Sequence, residues 1–246
     1  MPDYNHIWPF LILLPLVALL YAAVGHGGAS GYLALMALFG FSPLVMKPTA
    51  LVLNIFVAGI SFWHYWRQGH FKGALFWPFV LTSIPLAFVG GRLNVDPVLY
   101  KKILAVLLVF AILRLLNWLG REKEEVVPVK YWQGLLAGGA IGFFSGLIGI
   151  GGGIILTPLI LLLHWGKMKE AAAVSALFIW VNSLAALAGQ LSSGVRIPAA
   201  ALGLILLAFG GGMLGAWLGS SRLNNRGLRY LLALVLAIAS AKLFFT

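Results

Sequence analysis

The chain has 246 residues, of which 61% are apolar and 9% are charged, with a formal net charge of +11 and no cysteine. Soluble domains carry about 25% charged residues, so this composition excludes a soluble protein and predicts a membrane protein built from helices. The lack of cysteine excludes disulfides, thiolate metal sites and cysteine nucleophiles.

Ten apolar segments follow one another along the chain, with the basic residues in the short links between them. The segments run over residues 7–24, 32–40, 48–66, 74–91, 97–119, 131–148, 154–165, 170–190, 197–220 and 227–245. Those at 32–40 and 154–165 are too short to cross a bilayer, which takes about 20 helical residues. Basic links are typical of loops held on the cytoplasmic side, so no nucleic-acid partner is expected. The first six residues contain no Lys or Arg, so the first segment is expected to stay attached rather than to act as a signal peptide.

The two halves of the chain carry matching sequence at similar spacing. GHGG at 25–28 matches GIGG at 149–152, TAL at 49–51 matches SAL at 175–177, and LAFVGG at 86–91 matches LAFGGG at 207–212. The offsets are 124, 126 and 121 residues, which indicates a duplicated unit, with chance matching of Gly- and Ala-rich sequence as the alternative. We therefore divide the chain into a first membrane repeat (1–120), a charged linker (121–130) and a second membrane repeat (131–246).

The distribution of basic residues favours an odd number of crossings in each half. If every segment except the two short ones crosses, the two faces of the membrane carry 8 and 9 of the 17 Lys and Arg, which indicates no orientation. If each first segment instead forms a re-entrant hairpin with its short successor, three spans remain in each half and the division becomes 11 against 6. Five crossings in each half would give the same parity. The sequence therefore predicts inverted repeats, with both termini outside and the linker inside.

Two glycine clusters interrupt apolar segments at matching places in the two halves. Consecutive glycines allow positive φ angles and close approach, which suits a helix that breaks inside the membrane. A helix that restarts after such a break points its free N–H groups and the positive end of its dipole into the gap. Two such helix starts facing one another would bind an anion through the backbone alone. Other glycines recur every fourth residue, at 134–146 and 211–219, and predict helix packing instead.

The polar side chains at membrane depth are neutral. All six acidic residues fall in links or at the N-terminus, whereas cation-driven carriers usually hold a carboxylate in the transport path. The hydrogen-bonding groups that remain at depth are Ser30, Thr49, Asn54, Ser175, Asn182, Ser183 and Gln190. A single Ser or Thr commonly bonds its own helix backbone, so Asn54 and Asn182 are the stronger candidates. The sequence therefore argues against cation transport and favours an anion.

The predicted substrate site combines the two clusters with neighbouring polar side chains. It comprises Gly25, His26, Gly27, Gly28, Ser30, Thr49, Asn54, Gly149, Gly151, Gly152, Gly153, Ser175 and Asn182. His26, which has Ile150 as its counterpart, could bind an oxyanion or exchange a proton with it, and a structural histidine fits equally well. No catalytic residue, metal site or cofactor is predicted.

The paired motifs GHGGASGYLA and SGLIGIGGGIILTPL, followed by KPTALVLN and AAVSALFIWVN, resemble the sulfite exporter TauE/SafE family, which includes 4-toluene sulfonate uptake permease-like proteins. The resemblance covers nearly the whole chain. In the first half Ala29 stands where a third glycine would fall, Ala34 stands where the proline would, and His26 is an addition. The resemblance implies an all-α integral membrane protein of the bacterial cytoplasmic membrane that transports sulfur-containing anions such as sulfite or organosulfonates.

The function expected from these features is export of a small sulfur-containing anion through a midplane site formed by the two glycine breaks. An uptake permease and an anion channel, for related sulfur species or carboxylates, are the alternatives. An intramembrane enzyme is disfavoured because the chain lacks HExxH, GxSxG and an intramembrane Asp pair. The expected partners are the anionic substrate and the lipid bilayer, and a homo-oligomer is left open.

Overall fold

The computed structural model describes residues 7–115 and 126–221, together with residues 237, 240 and 241. This described part of the chain is helical and contains no strand. Its helices are α1 (Ile7–Ala22), α2 (Ala29–Leu38), α3 (Pro43–Arg67), α4 (Gly73–Arg92), α5 (Pro97–Leu115), α6 (Tyr131–Ile148), α7 (Gly153–Leu162), α8 (Met168–Ser192) and α9 (Ala199–Ser221).

The helices follow the predicted apolar segments, and the largest difference lies at the start of α3. This helix begins at Pro43 rather than at 48, because proline suits the first helical position, where its missing N–H would have no intrahelical partner. α8 begins at Met168 rather than at 170, and there the Glu170 carboxylate accepts a hydrogen bond from the Lys167 N–H at 3.1 Å. The predicted segment at 227–245 lies outside the described residues except for positions 237, 240 and 241.

Four of the described helices are long and apolar enough to cross a bilayer, namely Pro43–Arg67, Gly73–Arg92, Met168–Ser192 and Ala201–Ser221. Large apolar side chains such as Leu136 and Leu206 lie exposed on the outer surface, as expected where lipid is the solvent. The chain therefore has the build of a multi-pass membrane protein. Of the other two spans that the hairpin arrangement predicts, 97–119 ends beyond the described residues and 227–245 lies almost wholly outside them.

The glycines that recur every fourth residue lie at helix contacts, as predicted. In α6, a Cβ added at Gly138, Gly142 or Gly146 would overlap the backbone of α4. In α9, one added at Gly211 or Gly215 would overlap the backbone of α1, and one added at Gly219 would overlap Ala23, the next residue after α1. Only glycine lets these backbones approach so closely. The packing prediction for both glycine stripes is confirmed. Each stripe joins a helix of one half of the chain to a helix of the other half.

α3 and α8 form a central antiparallel pair, and each has 25 residues. Lys47 near the start of α3 shares a pocket with Gln190 near the end of α8. At the other end, Tyr65 of α3 packs against Ala172 of α8. α4 packs against α8, and α9 packs against α3. The two halves of the chain therefore interlock around this central pair.

Candidate substrate-binding site

Both glycine clusters lie between a helix end and a helix start. The first glycine loop (residues 23–28) joins α1 to α2, and the second glycine loop (residues 149–152) joins α6 to α7. In the first loop Gly25 and Gly28 have φ angles of 76° and 98°, and in the second Gly149 and Gly152 have φ angles of 89° and 83°. Side chains other than glycine rarely adopt such angles. The backbone turns therefore require glycine at equivalent positions of the two loops.

The two preceding helices end in the same hydrogen-bonding pattern. The His26 N–H donates to the Tyr21 carbonyl at 2.9 Å, five residues back, and the Ile150 N–H donates to the Ser145 carbonyl at 3.3 Å, also five residues back. A bond of this span, next to a left-handed glycine, is the Schellman motif that ends many helices. The loops therefore share their backbone design as well as their glycines.

The two loops meet at the side chain of Asn54, which lies in the middle of α3 and is fully buried. Its Oδ1 accepts a hydrogen bond from the Ala29 N–H, the first of α2, at 3.0 Å. Its Nδ2 donates to the Ile150 carbonyl of the second loop at 3.4 Å and to the Ser183 hydroxyl of α8 at 3.2 Å. One amide therefore links a helix start, the opposite glycine loop and the second central helix.

The glycines leave room for this amide and for Ile179 of α8. A Cβ added at Gly27 would overlap Asn54 Oδ1 and would lie 3.0 Å from Ile179 Cγ2. A Cβ added at Gly151 would lie 2.5 Å from Asn54 Nδ2 and 2.7 Å from Ile179 Cγ2. Asn54 and Ile179 are each the twelfth residue of their 25-residue helix. The loops therefore approach each other halfway along the central pair.

The other predicted side chains have different surroundings. The Ser30 hydroxyl donates to the Tyr21 hydroxyl at 2.9 Å, and the Ser175 hydroxyl accepts from the Thr157 hydroxyl at 2.7 Å. Asn182 donates through Nδ2 to the Phe178 carbonyl, one turn back, at 2.8 Å. Within the described ranges, Asn182 Oδ1 and Thr49 Oγ1 are buried without a hydrogen-bond partner.

His26 and Gly153 lie at the two loops but make unlike contacts. The His26 ring donates through Nδ1 to the Val24 carbonyl at 3.0 Å and is half-buried. Gly153 is the first residue of α7, and a Cβ there would overlap the Ile179 side chain. The imidazole is thus bonded to its own loop, as the structural interpretation of this histidine predicts.

Tyr21, Ser145, Thr157 and Ile179 contact the predicted site residues but were not among them. Tyr21 and Ser145 each precede the first glycine of their loop by four residues, at the repeat offset of 124. That spacing was a signal from which both could have been found. Thr157 and Ile179 carry no comparable signal, because their contacts join α7 and α8 to distant parts of the chain.

No acidic side chain lies between the loops in the described part of the protein, where the acids are Asp96 and Glu170. Asp96 accepts the Val98 N–H at 2.9 Å before α5, and Glu170 lies in the first turn of α8. Both therefore stabilise helix starts at the ends of membrane segments. The region around Asn54 is neutral, with a helix N-terminus directed at it.

Apolar helices arranged around two buried glycine loops are typical of membrane transport proteins. The chain belongs to the sulfite exporter TauE/SafE family, whose model matches residues 10–243. It is therefore a multi-pass member of a membrane transporter family.

Three curated relatives of the chain are named as probable membrane transporter proteins. A probable membrane transporter protein, y4hK, of Sinorhizobium fredii is 36% identical over 93% of this chain and 94% of its own length. The probable membrane transporter protein YjnA of Bacillus subtilis is 26% identical over 95% of this chain and 98% of its own. The probable membrane transporter protein YunE of the same organism is 30% identical over 43% of this chain and 38% of its own. No solved structure matches the chain.

Proposed function

We propose that this protein exports a small sulfur-containing anion, such as sulfite or an organosulfonate, across the bacterial cytoplasmic membrane. The observation that carries the proposal is the meeting of both glycine loops at Asn54, where the amide oxygen accepts the first N–H of α2. An anionic oxygen would bind where the amide oxygen now lies, because the N-terminus of a helix favours negative charge. The match to the family and the bacterial origin of its relatives support the substrate class and the location.

The electrostatics around the loops support an anion moving outward. Moving one negative charge out of a cell whose interior is negative is favourable by about 2.3 kcal/mol per 100 mV. Such an exporter needs no carboxylate to bind a coupling ion. The described region between the loops is neutral, in agreement with that requirement.

Inverted repeats with a helix broken at each glycine loop form part of this proposal. Gly25 lies against Ala172, the fifth residue of α8, and Gly149 lies against Lys47, the fifth residue of α3. Halfway along both helices, Asn54 and Ile179 each contact both loops. These matched contacts in an antiparallel pair support a twofold relation between the halves, which is the basis of alternating access in many carriers.

An anion channel and an uptake permease are the alternatives. Asn54 and Ile179 fill the space between the loops in this structure, which favours a carrier that must rearrange over an open channel. An uptake permease would use the same site, so the direction of net flux distinguishes it from an exporter.

The test is a flux measurement with purified protein in liposomes. Vesicles loaded in turn with sulfite, thiosulfate, sulfate, sulfoacetate or acetate are given a potassium diffusion potential that is negative inside. We expect the sulfur anions to leave under this potential, and Gly28→Leu and Gly152→Leu to abolish their efflux. Gly40→Leu is the matched control, because Gly40 also has a positive φ of 75° but has no neighbouring atom within 4 Å of an added Cβ.

Two results would overturn the proposal. If folded protein moves none of these sulfur anions, the substrate class is wrong. If Gly28→Leu and Gly152→Leu transport as well as Gly40→Leu does, the glycine loops do not form the site.

A further inference from the structure

A pocket opens at the end of the central pair that contains the start of α3 and the end of α8. Its wall is largely apolar, with proline, leucine and valine side chains, and its polar members are Lys47, Asn94, Tyr100 and Gln190. Its cavity volume is ≈ 60 Å³, measured as the space that the centre of a water molecule can occupy. One water needs about 15 Å³ by this measure, so the pocket has room for a group of about four non-hydrogen atoms, the size of a small oxyanion.

Gln190 lines this pocket without a hydrogen-bond partner. The residue is 1% exposed, and in the described part of the chain neither Nε2 nor Oε1 has a partner. Buried amide groups in proteins are nearly always hydrogen-bonded, because an unpaired one loses its hydration without compensation. An unpaired amide in the wall of a pocket therefore points to a ligand that hydrogen-bonds to it when bound.

Lys47 contributes a positive charge to the lining of the same pocket. Its Nζ donates to the Gly91 carbonyl at 3.3 Å and to the Leu93 carbonyl at 3.5 Å, both at the end of α4. Among the described residues the ion pair present is Lys72 with Glu170, at the far end of the molecule, so no described carboxylate neutralises Lys47. An ammonium group has three donors, and two carbonyls leave one for a ligand.

The pocket adjoins the second glycine loop. A Cβ added at Gly149 would lie 2.9 Å from Lys47 Cγ, and the Tyr100 hydroxyl donates to the Ile148 carbonyl at 2.9 Å, where that loop begins. Lys47 lies seven residues, or two helical turns, before Asn54 on α3. The pocket is therefore next to the second glycine loop and about two helical turns along α3 from the proposed central site.

At the opposite end of the central pair, the equivalent positions carry no charge. The positions equivalent to Lys47 and Gln190 there are Ala172 and Tyr65, each separated by 125 residues from its counterpart. Tyr65 is buried with Ala172 and Ala173 in an apolar cluster, and its hydroxyl donates to the Ala23 carbonyl at 3.4 Å. At these equivalent positions the two ends of the pair thus differ in charge.

From this contrast we propose that the Lys47–Gln190 pocket is a second anion site, a vestibule that binds a small oxyanion before or after the central site. The Lys47 ammonium and the Gln190 amide are the ligand groups, and the anion is of the sulfite or sulfonate class. The proposal rests on the proposed function for the identity of the anion, but binding at the vestibule does not require transport.

Binding is measured on the full chain in an uncharged detergent, with sulfite and sulfate as probes and gluconate holding ionic strength constant. Tryptophan fluorescence or thermal stabilisation reports the Kd. We expect Gln190→Leu and Lys47→Met to raise the Kd by about tenfold each, the effect of losing one strong hydrogen bond to an anion. Lys47→Arg, which keeps the charge, is expected to stay within about threefold of wild type.

Lys102→Met is the matched control, since Lys102 is an exposed cation of the neighbouring helix α5 and is expected to leave the Kd unchanged. Asn54→Leu separates the two sites, because it is expected to stop flux while binding at the vestibule persists. The proposal is overturned if wild type binds neither anion, if Gln190→Leu and Lys47→Met bind as wild type does, or if Asn54→Leu alone removes all binding. If the wild-type protein binds the anions but transports none of them, the proposed function is overturned and the vestibule is supported.

Discussion

The two glycine loops share a backbone but differ in the side chains around them. Each has left-handed glycines at equivalent positions and ends its preceding helix with the same hydrogen bond. Where the loops meet, however, the middle of α3 presents the amide of Asn54, whereas the middle of α8 presents the aliphatic side chain of Ile179. At their first glycine, one loop lies against Ala172 and the other against Lys47. The repeated backbone thus provides the frame, and the unlike side chains give the two ends different chemistry.

The largest effect is expected where the loops are alike. Gly28→Ala and Gly152→Ala each force a side chain into a left-handed conformation and against buried rings, with Tyr32 Cζ at 2.6 Å and Phe178 Cε1 at 2.8 Å. We expect each to destabilise the protein by about 2–5 kcal/mol, the sum of backbone strain and overpacking. Thermal unfolding followed by tryptophan fluorescence measures this.

Gly40→Ala controls for backbone strain alone, because its φ is 75° and its surroundings are open. Equal melting temperatures for Gly28→Ala and Gly40→Ala would show that the close packing of the first loop contributes nothing to the stability of the protein.

An effect of similar size is expected where the loops differ in polarity. Asn54→Leu leaves the buried Ala29 N–H and Ile150 carbonyl without their partner, which destabilises the protein by about 1–3 kcal/mol for each unpaired group. We expect transport to be lost as well. Asn182→Leu is the matched control, since the Asn182 amide donates to the Phe178 carbonyl of its own helix. Comparable flux and stability for the two variants would contradict a special role for Asn54.

A difference of about 1 kcal/mol is expected between Gly25→Ala and Gly149→Ala. Both glycines have positive φ, so the backbone strain is similar. The Cβ at position 25 would overlap Ala172 and reach its Cα at 3.0 Å, whereas the Cβ at position 149 would meet Lys47 Cγ at 2.9 Å. A lysine stem can move and a helix backbone cannot, so Gly25→Ala should melt at the lower temperature. The opposite order would mean that the Lys47 stem is the more rigid neighbour.

The smallest effect is expected from His26→Ile, which gives the first loop the residue of the second. The change removes the bond from the His26 ring to the Val24 carbonyl, which contributes about 1 kcal/mol or less. We expect sulfite efflux to remain. Loss of efflux in a variant that melts normally would assign His26 to the transport path.

Much of the helical layout could be predicted from the sequence, because membrane helices form from local apolar runs. The ends of α6, for example, agree with the predicted segment 131–148. The start of α3 was predicted five residues late, since Lys47 and the proline that follows it interrupt the apolar run inside a helix that begins at Pro43.

The site could be predicted only in part. The glycine clusters and Asn54 stand out in a chain with few polar residues, so they were candidates. The contact between Asn54 and Ile150 joins residues 96 apart, and no local pattern encodes which residues meet over such a distance. Lys47 looks like an ordinary link residue in the sequence, and only the fold brings it beside Gln190.

The two glycine stripes have a consequence for how the chain is made. α1 packs along the stripe of α9, yet α1 ends at Ala22 and α9 begins at Ala199, so about 180 residues separate them. At about 5–20 residues per second of synthesis, α9 is made on the order of 10–40 s after α1. During that time the contact face of α1 lies against lipid or against the insertion machinery, and the first half of the protein cannot reach its final packing until the second half enters the membrane.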